Sequence, residues 1–161
     1  MHPQQAVWSD YLYWHPQESP QNVSRRIGMM IFSGGVPTFS VSFADLPREQ
    51  TRVVRQWLKF YAEHRRNLGV AELRVLSADG CYSATALEDL TNGRAYVLFS
   101  GANLPGRIEL SADAKEAWLW NVSAQDAGRV EIVVGETMRR VTVKSGRLAR
   151  TRIANAKELM I

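Results

Sequence analysis

Residues 18–43 read ESPQNVSRRIGMMIFSGGVPTFSVSF, and this stretch decides the fold. It opens with Ser19-Pro20, a favourable helix start, because serine caps the first free amides and proline fits the first helical position. The apolar residues that follow recur at helical spacing: Val23, Ile27, Met30 and Ile31. Ser33-Gly34-Gly35 ends the predicted helix, and residues 36–43 are rich in β-branched and aromatic side chains, which predicts a strand.

The same order of strand and helix continues on both sides of this stretch. Ala6-Val7-Trp8 precedes the polar Ser9-Asp10 and predicts a strand that ends near Asp10. Pro47 opens a second helix with an apolar stripe of Val53, Val54, Trp57, Leu58, Tyr61 and Leu68. Strand, helix, strand, helix is typical of a parallel α/β unit. Because two parallel strands leave unpaired edges, residues 1–68 are interpreted as the tail of a larger α/β domain.

Residues 69–161 have a different sequence pattern, in which short strand-like segments lie between turn signals. The predicted strands are 71–76, 82–87, 95–100, 107–110, 117–121, 129–134, 139–144 and 147–153. Their even spacing favours an antiparallel β-sandwich, and Ser145-Gly146 predicts a two-residue hairpin loop. The expected fold class is therefore α+β. It comprises the last strand–helix units of an incomplete α/β (TIM-like) barrel over 1–68, then an antiparallel sandwich over 69–161.

The composition excludes a disordered chain, a collagen-like chain and a disulfide-dense mini-protein. The chain has 161 residues, 45% hydrophobic and 22% charged, which is an ordinary globular mix. Cys81 is the only cysteine, and His2, His15 and His64 lack metal-ligand spacing, so we expect no disulfide, no metal site and no cofactor. The arginines are scattered and no apolar run approaches the length of a membrane span, so we expect neither nucleic acid nor membrane as a partner. The first residues do not resemble a signal peptide, which leaves the localisation open.

The richest chemistry lies around Asp10. This acid follows a short apolar segment and has aromatic neighbours at Trp8, Tyr11, Tyr13 and Trp14. Parallel α/β domains place their sites at the carboxyl ends of strands, and aromatic surroundings raise the pKa of a carboxyl group by desolvation, as suits a general acid. Alternatively, Asp10 caps a loop and the aromatic side chains belong to the core.

Trp8-Ser9-Asp10 resembles the Trp-Ser-Asp element of melibiase-like α-galactosidases. Residues 57–68, WLKFYAEHRRNL, are similar to the closing barrel helix of these hydrolases, which leads into a C-terminal β-sandwich. The resemblance implies a carbohydrate substrate, Asp10 as the general acid/base, and Trp8, Trp14 and His15 as walls of the sugar pocket. A related hydrolase acting on another α-linked sugar fits nearly as well.

A retaining glycosidase needs two carboxylates about 5–5.5 Å apart. The Lys-Trp-Asp nucleophile element of the family is missing from these 161 residues, so we expect the isolated chain to be inactive. The alternative function is a non-catalytic carbohydrate-binding or interaction sandwich. It depends on Trp118 and Trp120, which alternate along a predicted strand, so both side chains share one face of it. That face is a sugar-stacking platform, a core face or a domain interface. The sequence leaves open whether the chain forms a homo-oligomer.

Overall fold

The computed structural model describes residues 11–77 and 83–153. Trp8, Asp10 and the predicted strand before them lie outside the described residues. The chain divides into two compact units, of which the first ends at Val70 and the second begins at Ala71. The described residues form an α+β protein with two helices and two mixed sheets, and they include no closed barrel.

The first helix, α1, spans Pro20–Phe32 and confirms the predicted start. The Ser19 hydroxyl accepts a hydrogen bond from the Asn22 amide at 3.2 Å, and Pro20 occupies the first helical position. Beyond the helix, Gly34 has a φ of +83°, a left-handed conformation that glycine adopts without steric cost. Local capping and turn chemistry therefore determine both ends of α1.

The second helix, α2, spans Arg48–Leu68 and begins directly after Pro47, as predicted. Val54, Trp57 and Leu68 are buried, whereas Leu58, placed in the predicted stripe, is 38% exposed. Two buried residues were not predicted, Gln50 and Phe60. The indole N–H of Trp57 donates to the Ser24 hydroxyl at 2.9 Å and so joins α2 to α1.

The strand predicted over residues 36–43 is reduced, within the described part of the chain, to a parallel bridge between Leu12 and Phe39. The Leu12 amide donates to the Thr38 carbonyl, and the Ser40 amide donates to the Leu12 carbonyl, both at 2.9 Å. A regular strand needs a partner along its length, and Pro37 has no amide to donate. The extended segment is thus shorter than predicted, and its pairing is parallel.

The described part of the second unit contains eight strands, each at a predicted position. They are β1 Glu72–Val75, β2 Ala84–Asp89, β3 Arg94–Phe99, β4 Arg107–Leu110, β5 Glu116–Asn121, β6 Gly128–Val134, β7 Thr137–Val143 and β8 Leu148–Arg152. One sheet has the order β1-β2-β3-β5-β8, and the other has the order β4-β6-β7. The prediction of a purely antiparallel sandwich is wrong, because β3 pairs with β5, and β4 with β6, in parallel. After β3 the chain crosses to the other sheet for β4 and returns beside β3 in the same direction.

The predicted hairpin at Ser145-Gly146 is also wrong. The turn exists, since the Arg147 amide donates to the Lys144 carbonyl at 3.2 Å. However, β7 pairs with β6 and β8 pairs with β5, so this turn carries the chain from one sheet to the other. A two-residue hairpin instead joins β6 to β7, where Val134 pairs with Thr137 and Gly135 has a φ of +55°.

Apolar side chains from the two sheets form one core. The larger sheet contributes Val97, Phe99 and Leu119, and the smaller sheet contributes Ile108, Val130 and Ile132, each at most 2% exposed. Because neighbouring side chains on a strand point to opposite faces, Tyr96, Trp118 and Trp120 lie on the outer face of the larger sheet.

Candidate functional site

The described residues that come directly after Asp10 in the sequence form a segment that leads into α1. Trp14 lies in this segment and is only 2% exposed. Its indole N–H donates to Oε1 of Gln50 at 3.0 Å, and its ring meets Phe39 edge-to-face with centroids 5.9 Å apart. This burial leaves no open ring face on Trp14 for the sugar-pocket wall that the resemblance implies.

His15, next to Trp14, has the opposite environment. It is exposed, and its Nδ1 accepts a hydrogen bond from the Gln17 amide at 3.2 Å. The backbone carbonyl of His15 accepts from the Glu18 amide at 2.9 Å, which closes the turn before α1. The two predicted pocket residues in the described chain therefore differ: His15 is accessible and Trp14 is not.

Gln50 organises this segment and was not predicted from the sequence. Its side chain is 1% exposed and extends from the first turn of α2. Its Nε2 donates to the Pro16 carbonyl at 2.8 Å and to the Glu18 carbonyl at 2.7 Å, while its Oε1 accepts from Trp14. The helical spacing could have identified Gln50 as buried, because it lies four residues before Val54 on the buried face of the helix.

Two exposed aromatic side chains follow Asp10 closely in the sequence. Tyr11 is 72% exposed and Tyr13 is 65% exposed, in alternation with the half-buried Leu12 and the buried Trp14. Aromatic rings present apolar faces with a polar tip, which suits contact with a sugar. Tyr11, Tyr13 and His15 are therefore the accessible aromatic and imidazole groups that follow Asp10 in the chain.

The predicted tryptophan platform on β5 is covered. Trp118 and Trp120 are each 5% exposed. Tyr96 stacks on Trp118 with centroids 5.0 Å apart and an interplanar angle of 19°. The guanidinium groups of Arg94 and Arg150 lie 5.9 and 5.2 Å from the Trp118 centroid, within cation–π range. Neither indole offers an open face for a sugar in this arrangement.

The charged side chains over this covered face stay accessible to solvent, and Arg150 is 57% exposed. Arg150 forms an ion pair with the Glu116 carboxylate on the neighbouring strand. Burial raises the pKa of Tyr96 to about 12, although the nearby Arg94 guanidinium partly lowers the same pKa. The Tyr96 phenol is consequently neutral at physiological pH.

A basic concavity of about 550 Å³ lies on the exposed face of α2. Its described lining residues are Arg48, Thr51, Arg52, Arg55, Gln56 and Lys59. None of these side chains is a carboxylate, so this lining supplies no acid/base pair for cleaving a glycosidic bond. None of the described residues that line the concavity belongs to the segment that follows Asp10.

Residues 11–77 and 83–153 contain no group of three or more His, Cys, Asp or Glu side chains placed to hold a metal ion. Neither described helix combines the length and the apolarity that spanning a membrane requires. Comparisons of the chain with models of protein families, with curated proteins and with solved structures gave no significant match.

Proposed function

We propose that this chain is the C-terminal part of a retaining glycoside hydrolase acting on α-linked sugars, with Asp10 as the general acid/base. The observation that carries the proposal is the parallel bridge. Leu12, two residues after Asp10, pairs in parallel with Phe39, and α1 lies in the connection between them. Adjacent strands of an α/β barrel pair in this direction with a helix between them.

Two further features support this proposal. Three residues separate the end of α2 at Leu68 from β1 at Glu72, so the helical unit leads directly into a sandwich, the order found in the family that the sequence resembles. Gln50 holds the segment after Asp10 through three hydrogen bonds of 2.7 to 3.0 Å. Positioning of this kind is what a catalytic group requires of its supporting residues.

The proposed chemistry has two steps. In the first, the Asp10 carboxyl group donates its proton to the glycosidic oxygen while a second carboxylate attacks the anomeric carbon, so the sugar–oxygen bond breaks and the alcohol leaves. In the second, the Asp10 carboxylate takes a proton from water, whose oxygen attacks the anomeric carbon and releases the second carboxylate. Tyr11, Tyr13 and His15, all exposed, are proposed to contact the sugar.

The test is Asp10→Asn in the complete enzyme, assayed with two aryl α-glycosides that differ in leaving-group ability. General acid catalysis is worth roughly 10²–10⁴-fold, so we expect a loss of that size for the poor leaving group and a much smaller loss for the good one. Asp45→Asn, at an exposed acid of the same unit, is the matched control and leaves both rates unchanged. Rates within about threefold of wild type for both substrates contradict the proposal.

The non-catalytic sugar-binding sandwich is not proposed as a second function. Its support was the shared face of Trp118 and Trp120, and both side chains are 5% exposed. Because a stacking platform must present an open ring face, these two residues do not favour it.

A further inference from the structure

β1 forms one edge of the larger sheet. It is the terminal strand of that sheet and, within the described residues, pairs with β2 alone. All four of its residues are exposed, with Leu73 at 55% and Val75 at 47%. An exposed strand edge presents amide and carbonyl groups that can pair with another chain.

The backbone groups that face outward can be identified from the ladder. The Leu76 amide donates to the Ala84 carbonyl at 2.9 Å, so this pair is a hydrogen-bonded one. Hydrogen-bonded and non-hydrogen-bonded pairs alternate along an antiparallel ladder. Arg74 and Glu72 therefore direct their amides and carbonyls toward β2, while those of Leu73 and Val75 point away from it.

The side chains of β1 select one register for pairing with a second copy. Leu73 and Val75 share one face of the strand, and Glu72 and Arg74 share the other. An antiparallel pair centred on Leu73 places the two Leu73 residues opposite each other and each Glu72 opposite Arg74 of the second copy. A pair centred on Glu72 or on Arg74 would place like charges directly opposite each other, which is destabilising. A pair centred on Val75 opposes no like charges, but it places Glu72 four residues along the strand from Arg74 of the second copy, so this ion pair is lost.

The charges within one copy favour the same register. Across the β1–β2 ladder Glu72 faces another carboxylate, Glu88, and no cation lies within ion-pair distance of Glu72 in the described part of the chain. Arg74 pairs with Glu88 at 2.7 Å, yet its side chain stays 43% exposed. Arg74 of a second copy would therefore supply the cation that Glu72 lacks.

We propose that β1 pairs antiparallel with β1 of a second copy, centred on Leu73, so that two five-stranded sheets join into one continuous sheet. The outward amide and carbonyl of each Leu73 bond reciprocally to those of the other, and the two leucine side chains pack on one face. Because the strand is four residues long, the dimer is reversible and depends on protein concentration.

The first test is disulfide trapping in the full chain with Cys81, the sole cysteine, replaced by Cys81→Ser. Directly opposite residues of a hydrogen-bonded pair have Cα atoms about 5.5 Å apart, within the range of about 4.4–6.8 Å that a disulfide spans. Leu73→Cys should therefore form a covalent dimer on mild oxidation. Val75→Cys is the matched control, since it shares the face and has similar exposure. In the proposed dimer its two cysteines would lie about 13 Å apart along the strands, too far to form a disulfide.

Each other outcome of the trapping experiment overturns the proposal. Equal trapping of both variants means random collision, preferential trapping of Val75→Cys means another register, and no trapping means that the edge stays unpaired.

The second test is sedimentation equilibrium of the wild-type chain across a concentration series. Leu73→Lys places two ammonium groups opposite each other and should raise the dimer dissociation constant at least about tenfold. Leu58→Lys, at an exposed position on α2, is the control and should leave it unchanged. Circular dichroism confirms that each variant is folded. A wild-type chain that stays monomeric, or equal effects of the two substitutions, contradicts the pairing. Neither test reads catalysis, so its outcome is independent of the proposed hydrolase.

Discussion

Gln50→Leu is the substitution that most directly probes how the segment after Asp10 is held. Leucine has a similar volume and leaves little cavity, so the change removes polar contacts while preserving the packing. It deprives the Trp14 indole, the Pro16 carbonyl and the Glu18 carbonyl of their partner. We expect a marked loss of stability in the first unit.

The magnitude follows from three hydrogen bonds of 3.0, 2.8 and 2.7 Å. A hydrogen bond contributes about 1 kcal/mol net, and a buried donor left without an acceptor costs about 1–3 kcal/mol. Trp14 is 2% exposed, so its N–H has little access to water as a replacement. The expected decrease in the free energy of unfolding is about 3 kcal/mol, a large share of the roughly 5–15 kcal/mol typical of domains.

The assay is urea denaturation combined with amide hydrogen exchange, which reports the first unit separately from the second. Gln56→Leu is the matched control, because it lies on the same helix and is exposed. We expect the control to change the unfolding free energy by less than about 0.5 kcal/mol. A Gln50→Leu variant within about 1 kcal/mol of wild type would refute the assigned role of this amide.

Two further predictions concern the second unit. Tyr96 should ionise with a pKa of about 12, because its burial disfavours the charged phenolate. Since this value is raised above that of the unfolded chain, its stabilising contribution is complete below about pH 10 and is lost as the pH rises toward 12. Absorbance titration at alkaline pH should lose the ionisation step near pH 12 in Tyr96→Phe, and an unchanged titration contradicts the assignment. Gly101→Ala should cost at least about 1–3 kcal/mol in thermal denaturation, because a Cβ there would lie 2.7 Å from the Ser83 Cα. Gly106→Ala, with no neighbour within 4 Å, should cost much less, and equal losses would contradict the close approach.

The features of the fold that could be predicted are those that depend on residues close together in the sequence. Ser19-Pro20 and Pro47 set the helix starts through capping and the fixed proline φ, which depend on neighbouring residues alone. The eight strands appear where alternating residues lie between turn signals. Which strands become neighbours is a long-range outcome, and the parallel β3–β5 pair arises because the chain crosses to the other sheet at β4.

The candidate site was less predictable because residue type does not specify exposure. Trp14 and Tyr13 are adjacent aromatic residues, yet one is 2% and the other 65% exposed. Gln50 finds its partners 32 to 36 positions earlier in the chain, so no local pattern identifies them. Arg150 covers Trp118 from a neighbouring strand, and this pairing too depends on the sheet order.

The most direct test of the central claim is rescue of Asp10→Ala by azide in the complete enzyme, with an activated aryl α-glycoside as substrate. An activated leaving group departs without protonation, so the sugar–enzyme intermediate forms but lacks the base that activates water. Azide needs no base and attacks the anomeric carbon, which releases the nucleophilic carboxylate. The account predicts faster turnover with rising azide concentration and an α-glycosyl azide product. Absence of both effects, in a preparation whose wild type cleaves the same substrate, would contradict Asp10 as the acid/base.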